Sequence, residues 1–280
     1  MTASTESASS AVALFETDGA DRWTATELAR GPWHPDACHG GPVSALLARA
    51  IEHAEPNSSV DWQVARLSIE LTRPVPVGKP LQLSSKIERH GRKVSLVAAR
   101  LNDGEVEVAR ARSLRIRTEP IALPDDAVQP PPDPPGSPDT GTAQRVTWAD
   151  TGHVAFHTHA CEHRFTKGAW DLPGPVEVWI RLRVPLVSGE SPSGLQRAAA
   201  AADFGNGVSG GLPFERYTFI NPDLTVHLLR APIGEWIGMR TASYYGSAEL
   251  SSGAGFAESA LYDAEGRLGR SVQSLLIDVR

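Results

Sequence analysis

Two stretches of this chain follow one plan. Residues 72–117 read TRPVPVGKPLQLSSKIERHGRKVSLVAARLNDGEVEVARARSLRIR, and residues 229–280 read LRAPIGEWIGMRTASYYGSAELSSGAGFAESALYDAEGRLGRSVQSLLIDVR. In each, a Pro-Val/Ile-Gly turn (Pro76–Gly78, Pro232–Gly234) opens a strand-like run. Two more runs follow, the last entered through an acidic turn that ends in glycine (Asn102–Gly104, Asp263–Gly266). A helix candidate stands upstream of each copy, beginning at Gly40–Gly41 and at Ser193–Gly194. A chain built from two copies of one helix-plus-sheet unit is of the α+β class and is expected to pack the copies against each other. Function is then sought where the copies diverge.

The segment between the copies, PDDAVQPPPDPPGSPDTGTAQ, is dense in proline. Proline fixes φ and removes a backbone donor, so residues 120–145 are expected to stay out of any sheet and run as an extended linker. This divides the chain into an N-terminal module (1–119), the linker and a C-terminal module (146–280). The start, MTASTESASS, lacks a basic region followed by an apolar core, so it reads as a disordered tail rather than a secretory signal.

Within the first module, Val43, Leu46, Leu47, Ala50 and Ile51 recur at i, i+3, i+4, i+7 and i+8, the buried face of a helix over 43–54. Strands are expected at 23–28, 64–72, 81–89, 94–102 and 106–117. In the last of these, Val106, Val108, Leu114 and Ile116 share one parity and Glu105, Glu107, Arg115 and Arg117 the other, which predicts one dry and one wet face. The second module repeats the order, with strands at 155–165 and 176–184, a helix over 195–203, and strands at 224–229, 236–244, 255–262 and 268–279.

The net charge of −6 argues against a nucleic-acid partner, which usually meets a basic patch. No run approaches the ~18 apolar residues of a membrane span. Two cysteines, Cys38 and Cys161, make no disulfide framework and point to a reducing, cytoplasmic setting. No Cys/His cluster has zinc spacing, so no metal is expected.

The helices diverge at one informative place. The second begins its apolar face at Leu195, Ala198, Ala199 and Ala202, but the i+8 position is Asp203, where the first has Ile51. The carboxylate is read two ways, as a helix C-cap turning outward or as a functional group on the sheet-facing side, where burial demands a partner. The last strands diverge too. Aligning Gly104 with Gly266 sets Gln273 opposite Ala111, with Leu275 and Ile277 on its parity; it is an inward polar group or a surface glutamine on an edge. His39–Gly40–Gly41, before the first helix, is either a tight capping loop or a place where a ligand oxygen meets free helix N–H groups.

In this order, the HGG-helix, the helix ending AADFGNG, the segment NPDLTVHLLRAP and the terminal GRLGRSVQSLLIDVR resemble the double-hotdog type II acyl-CoA thioesterases. The resemblance covers nearly all of the chain outside the tail and linker. It implies two hotdog modules in one chain, each wrapping a sheet around a long helix, with the sheets joined side by side. It also implies a water oriented by an Asp on the second helix, a Gln on the last strand and a Ser or Thr between them. Asp203 and Gln273 fall on the first two positions. The third falls on Phe219, so Thr218 or Asn221 is expected to substitute.

On this resemblance the substrate is an acyl-CoA, cleaved to free acid and CoA. Asp203 acts as general base, Gln273 positions the water, and His39, Gly40, Gly41 and Asn221 contact substrate. No cofactor is required, CoA being part of the substrate, and a homo-oligomer through the hotdog sheets is a possible assembly. Two other readings stay open. A hydratase would use an Asp/His pair, but Asp223 and His227 are about 13 Å apart by strand rise. A non-catalytic acyl-CoA or lipid binder fits the missing hydroxyl.

Overall fold

The computed structural model describes residues 12–19, 21–55, 60–127, 134–146, 152–247 and 252–280. The expected N-terminal tail lies outside these residues, as does the middle of the proline-rich segment. The first half forms β1 (Phe15–Thr17), β2 (Arg22–Ala25), α1 (Gly40–Glu52), β3 (Trp62–Glu70), β4 (Pro80–His90), β5 (Val94–Asp103) and β6 (Val106–Arg117). After it come β7 (Thr142–Ala143), β8 (Cys161–Lys167), β9 (Val176–Leu182), α2 (Gly194–Ala202) and the single turn α3 (Gly205–Val208). The chain closes with β10 (Tyr217–Ile220), β11 (Asp223–Leu228), β12 (Trp236–Tyr244), β13 (Ala254–Asp263) and β14 (Gly266–Val279).

All these strands join one antiparallel sheet. Its centre is the pair β3–β11, with Leu67 opposite Val226 and Ile69 opposite Leu224. Outward from there the order is β3-β6-β5-β4-β2-β1 on one side and β11-β14-β13-β12-β9-β8 on the other. Corresponding strands of the two copies therefore occupy corresponding places, and each copy covers the edge that the other would leave open. This is the double hotdog. The repeated turns are built alike. Gly78 (φ 73°) matches Gly234 (φ 70°), and Gly104 (φ 58°) matches Gly266 (φ 106°), all in the left-handed region where a Cβ is penalised. In the second copy Asp263 ties both turns together, accepting from the Arg230 guanidinium at 2.6 and 2.5 Å and from the amides of Ile233 and Glu265 at 3.0 and 2.9 Å. Burial opposes its charge, but these donors outweigh that and lower its carboxyl below the ordinary range.

The helices lie on one face of this sheet and run antiparallel against each other. The expected apolar face of α1 is buried, but so are Ser44, Ala45 and Ala48 on its other side. The two helices pack on each other, with Gly41 close to the Ala200 carbonyl, and the run Ala198–Ala202 of α2 is also buried. Small side chains on both helices let the backbones approach closely. The far ends are pinned by polar bonds: Ser193 Oγ caps α2 by accepting from Gln196 N and donates to Glu52 at the end of α1, at 2.7 Å. An antiparallel pair fastened there sets the other ends, the start of α1 and the end of α2, side by side. That is where Asp203 emerges.

The structure corrects three expectations. On β6 the inward set is not Val106, Val108, Leu114 and Ile116. Beyond Val108 it is Ala109, Ala111, Ser113 and Arg115 that are buried, while Ile116 is 45% exposed. A register shift at Leu101/Asn102 re-aims the pair β5–β6. The buried Arg115 donates from Nη2 to Glu55 and Ser95 at 2.9 and 3.0 Å, and its guanidinium lies over the Trp62 ring. Residues Phe156–Ala160, expected as the start of a strand, instead make one wide helical turn, and β8 begins only at Cys161. Phe156 and Ala160, four apart, are both fully buried by that turn. Finally, the proline-rich stretch does reach the sheet: Thr142–Ala143 pairs with β8, and Trp179 Nε1 donates to the Gly136 carbonyl. Thr142 and Ala143 lie past the last proline of the stretch and keep their N–H donors.

Candidate active site

Asp203 follows the last residue of α2 and holds that helix's C-cap place, yet its carboxylate does not turn outward. The residue is 3% exposed. Oδ1 accepts from Asn221 Nδ2 at 2.8 Å, and Oδ2 lies 2.8 Å from His39 Nδ1. Both oxygens press on the first turn of α1: a Cβ added to Gly40 would stand 2.6 and 2.7 Å from them. The carboxylate thus sits at the N-terminal end of α1, and the Asn221 amide repays part of its desolvation. Asp203 holds the C-cap place and is buried toward the inside at once, where the sequence set these two readings in opposition.

Gln273 is brought to the same junction but bonds different groups. It is 1% exposed and inward, as its parity requires. Its Nε2 donates to the Asp203 carbonyl oxygen at 3.0 Å, and its Oε1 accepts from Asn206 N at 3.1 Å. The amide therefore clasps the backbone where α2 passes into α3, and Gln273 is not among the residues that line the adjoining cavity. Gly205 makes room for it, since a Cβ there would lie 2.6 Å from Gln273 Oε1. Asn206, which sequence reasoning passed over, also donates through Nδ2 to the Phe219 carbonyl at 3.1 Å. Its signal was the interrupted helix ending Phe204–Gly205–Asn206–Gly207.

The expected substitutes for the missing hydroxyl separate. Asn221 reaches Asp203. Thr218 lies on β10 opposite Asp278, outside the wall of the adjoining cavity. Alternation on that strand buries the Phe219 ring, which packs edge-on against Trp33 with centroids 5.2 Å apart. His39 caps α1, Nδ1 accepting from Gly41 N at 3.1 Å, and its ring packs on Phe156 and Phe204. Gly40 lines the cavity, and Gly41 does not. Gly40 N is in the first helical turn, where an N–H has no partner within the helix.

The cavity, about 370 Å³, lies between the two modules. Val43, Leu71, Val75, Val146, Phe204 and Ile220 give it an apolar wall, with Asp203, His39 and Asn221 as its polar point, and the exposed His34 and Arg73 at its edge. Such a cavity takes an apolar chain and presents one carboxylate to a polar group attached to it. Cys38 also lines it, but burial, only partly offset by nearby Arg30, pushes its thiol up to about 12, the opposite direction to that of a reactive cysteine.

A family model for the acyl-CoA thioesterase N-terminal domain matches residues 29–116, and one for the acyl-CoA thioesterase C-terminal domain matches residues 124–277. Among solved structures, a provisionally assigned thioesterase of Novosphingobium aromaticivorans is 21% identical, with a TM-score of 0.66 over 94% of this chain and 98% of that one. A hot dog fold protein of Alicyclobacillus acidocaldarius is 15% identical, with a TM-score of 0.66 over 95% of each chain. The acyl-CoA thioesterase II TesB2 of Mycobacterium marinum is 14% identical, with a TM-score of 0.60 over 95% of this chain and 96% of that one. At these identities the structures speak for the fold alone. No curated protein matches the sequence. The family models together span both modules, and the chain therefore belongs to the double-hotdog acyl-CoA thioesterase family, as an acyl-CoA thioester hydrolase.

Proposed function

We propose that this chain hydrolyses its acyl-CoA with a water activated by Asp203. The observation that carries this is the buried carboxylate of Asp203, held by Asn221 and beside His39, at the polar point of an apolar cavity. The acyl chain lies along the apolar wall, with the thioester carbonyl toward the start of α1. Its oxygen accepts from Gly40 N–H, which gains strength as the oxygen becomes an oxyanion. Water attacks the carbonyl carbon as Asp203 takes one of its protons. The tetrahedral intermediate then expels sulfur: the C–S bond breaks, the proton held by Asp203 passes to the thiolate, and free acid and CoA leave. A thioester has a good leaving group, so one base and one oxyanion donor suffice.

In this reading Gln273 is a positioning residue rather than a holder of water. By bonding the Asp203 carbonyl and Asn206 N it fixes the exit of α2, and with it the direction of the carboxylate. Asn221 takes the orienting part that a hydroxyl plays elsewhere in the family. Purified protein incubated with acyl-CoAs of graded chain length is expected to release free thiol and the matching acid in equal amounts. Loss of acyl-CoA with retention of the thioester, or water added across an enoyl-CoA, would count against hydrolysis.

A further inference from the structure

One nitrogen of His39 faces two groups that demand opposite things of it. Nδ1 lies 3.1 Å from the Gly41 amide, a donor. It also lies 2.8 Å from Asp203 Oδ2, an acceptor when ionised. An imidazole nitrogen either carries a proton or offers a lone pair, so it serves one of these partners at a time. With the lone pair on Nδ1, the ring caps α1, and the carboxyl oxygen beside it must bear a proton, which disarms the base. With the proton on Nδ1, the ring donates to a carboxylate and the Gly41 amide loses its cap. A charge-assisted bond is about twice as strong as a neutral one, and the contact to Asp203 is the shorter of the two.

We propose that His39 is a positioning residue of this site, its Nδ1–H donated to Oδ2 so that Asp203 stands ionised and aimed at the attacking water. The proposal rests on the reading of Asp203 as general base. Packing holds the ring in place. Its centroid is 5.1 Å from that of Phe156 and 4.8 Å from that of Phe204, and its side chain is 12% exposed. Asn221 Nδ2 serves Oδ1. Each carboxylate oxygen then has one protein donor and keeps a lone pair for water. Two further imidazoles approach from the segment around β8. His157 lies with its ring centroid 6.2 Å from that of His39. His163 is driven down to about 3 by burial, with His157 and His39 adding to the effect, so it is neutral and does not compete as a cation for Asp203.

Nitrogen NMR of the full-length protein labelled at histidine tests the assignment, with the His39 signal identified by its loss in His39→Asn. The expected result is a protonated Nδ1 in the native protein and an unprotonated, accepting Nδ1 in Asp203→Asn, whose amide can donate to it. A native His39 protonated only at Nε2 would overturn the proposal. Kinetics give a second reading. In His39→Asn the side-chain amide still reaches Oδ2 as a donor, and kcat is expected to stay within about fivefold of native. His39→Leu has similar size and no donor, and kcat is expected to fall roughly 10- to 100-fold, the worth of a hydrogen bond to a charged group, with KM little changed. Equal kcat in the two variants would also overturn it. Full activity in Asp203→Asn would instead remove the general base itself.

Discussion

Asp203→Asn is expected to lower thioester hydrolysis by about two orders of magnitude or more, the scale of a general base, while leaving the fold intact. The second half follows from the contacts. An asparagine of the same size can accept from Asn221 through Oδ1 and donate through Nδ2 toward His39 Nδ1, so neither partner at 2.8 Å is orphaned. It also takes a buried charge out of the junction, so its melting temperature is expected to match or exceed that of the native protein. Thiol release and thermal melts on the same preparation check both. A folded variant with native kcat would dismiss the carboxylate from the chemistry.

Gly40→Ala should do comparable damage by a different route. Its new Cβ would stand 2.6 and 2.7 Å from the carboxylate oxygens of Asp203 and 2.8 Å from Leu71 Cδ1. Leu71 can rotate aside. The carboxylate is held by two donors and must be pushed off them. A displacement of about 1 Å at a reacting group costs on the order of 10²-fold. A fall of that size in kcat is therefore expected, with a modest change in melting temperature because the helix itself tolerates alanine well. The position of Asp203 in a crystal structure of the variant checks the cause. Native kcat with a displaced carboxylate would separate the position of Asp203 from catalysis.

The fold was legible because its signals are local and occur twice. Pro76–Gly78 and Pro232–Gly234 need the same left-handed glycine, and the period of the α1 face is visible in any window of the sequence. Asp203 was legible for a related reason: it interrupts an apolar period that its counterpart Ile51 keeps. What stayed hidden depends on contacts between distant segments. The parity of Gln273 pointed inward, but the direction of its amide is set by Gly205 and by Asn206, the latter 67 residues away in the chain. The reversal on β6 comes from a register shift that no residue announces, and from an arginine whose burial makes sense only with Glu55 beside it. The approach of His39 to Asp203 stayed hidden for the same reason, because Asp203 lies on the other module.

The central claim is that Asp203 activates water rather than attacking the thioester itself. A single turnover in H2(18O), with enzyme in excess over acyl-CoA, tests it directly. If water attacks, the acid from the first turnover carries one 18O atom and Asp203 stays unlabelled. If the carboxylate attacks, an acyl anhydride forms on Asp203: hydrolysis at its aspartyl carbon gives an unlabelled first acid and leaves 18O in the Asp203 side chain, and hydrolysis at its acyl carbon gives a labelled acid but passes through an acyl-Asp203 adduct that hydroxylamine or borohydride traps. Label in the first acid, with none in Asp203 and no trapped adduct, is the predicted result; labelled Asp203 or a trapped adduct would contradict it.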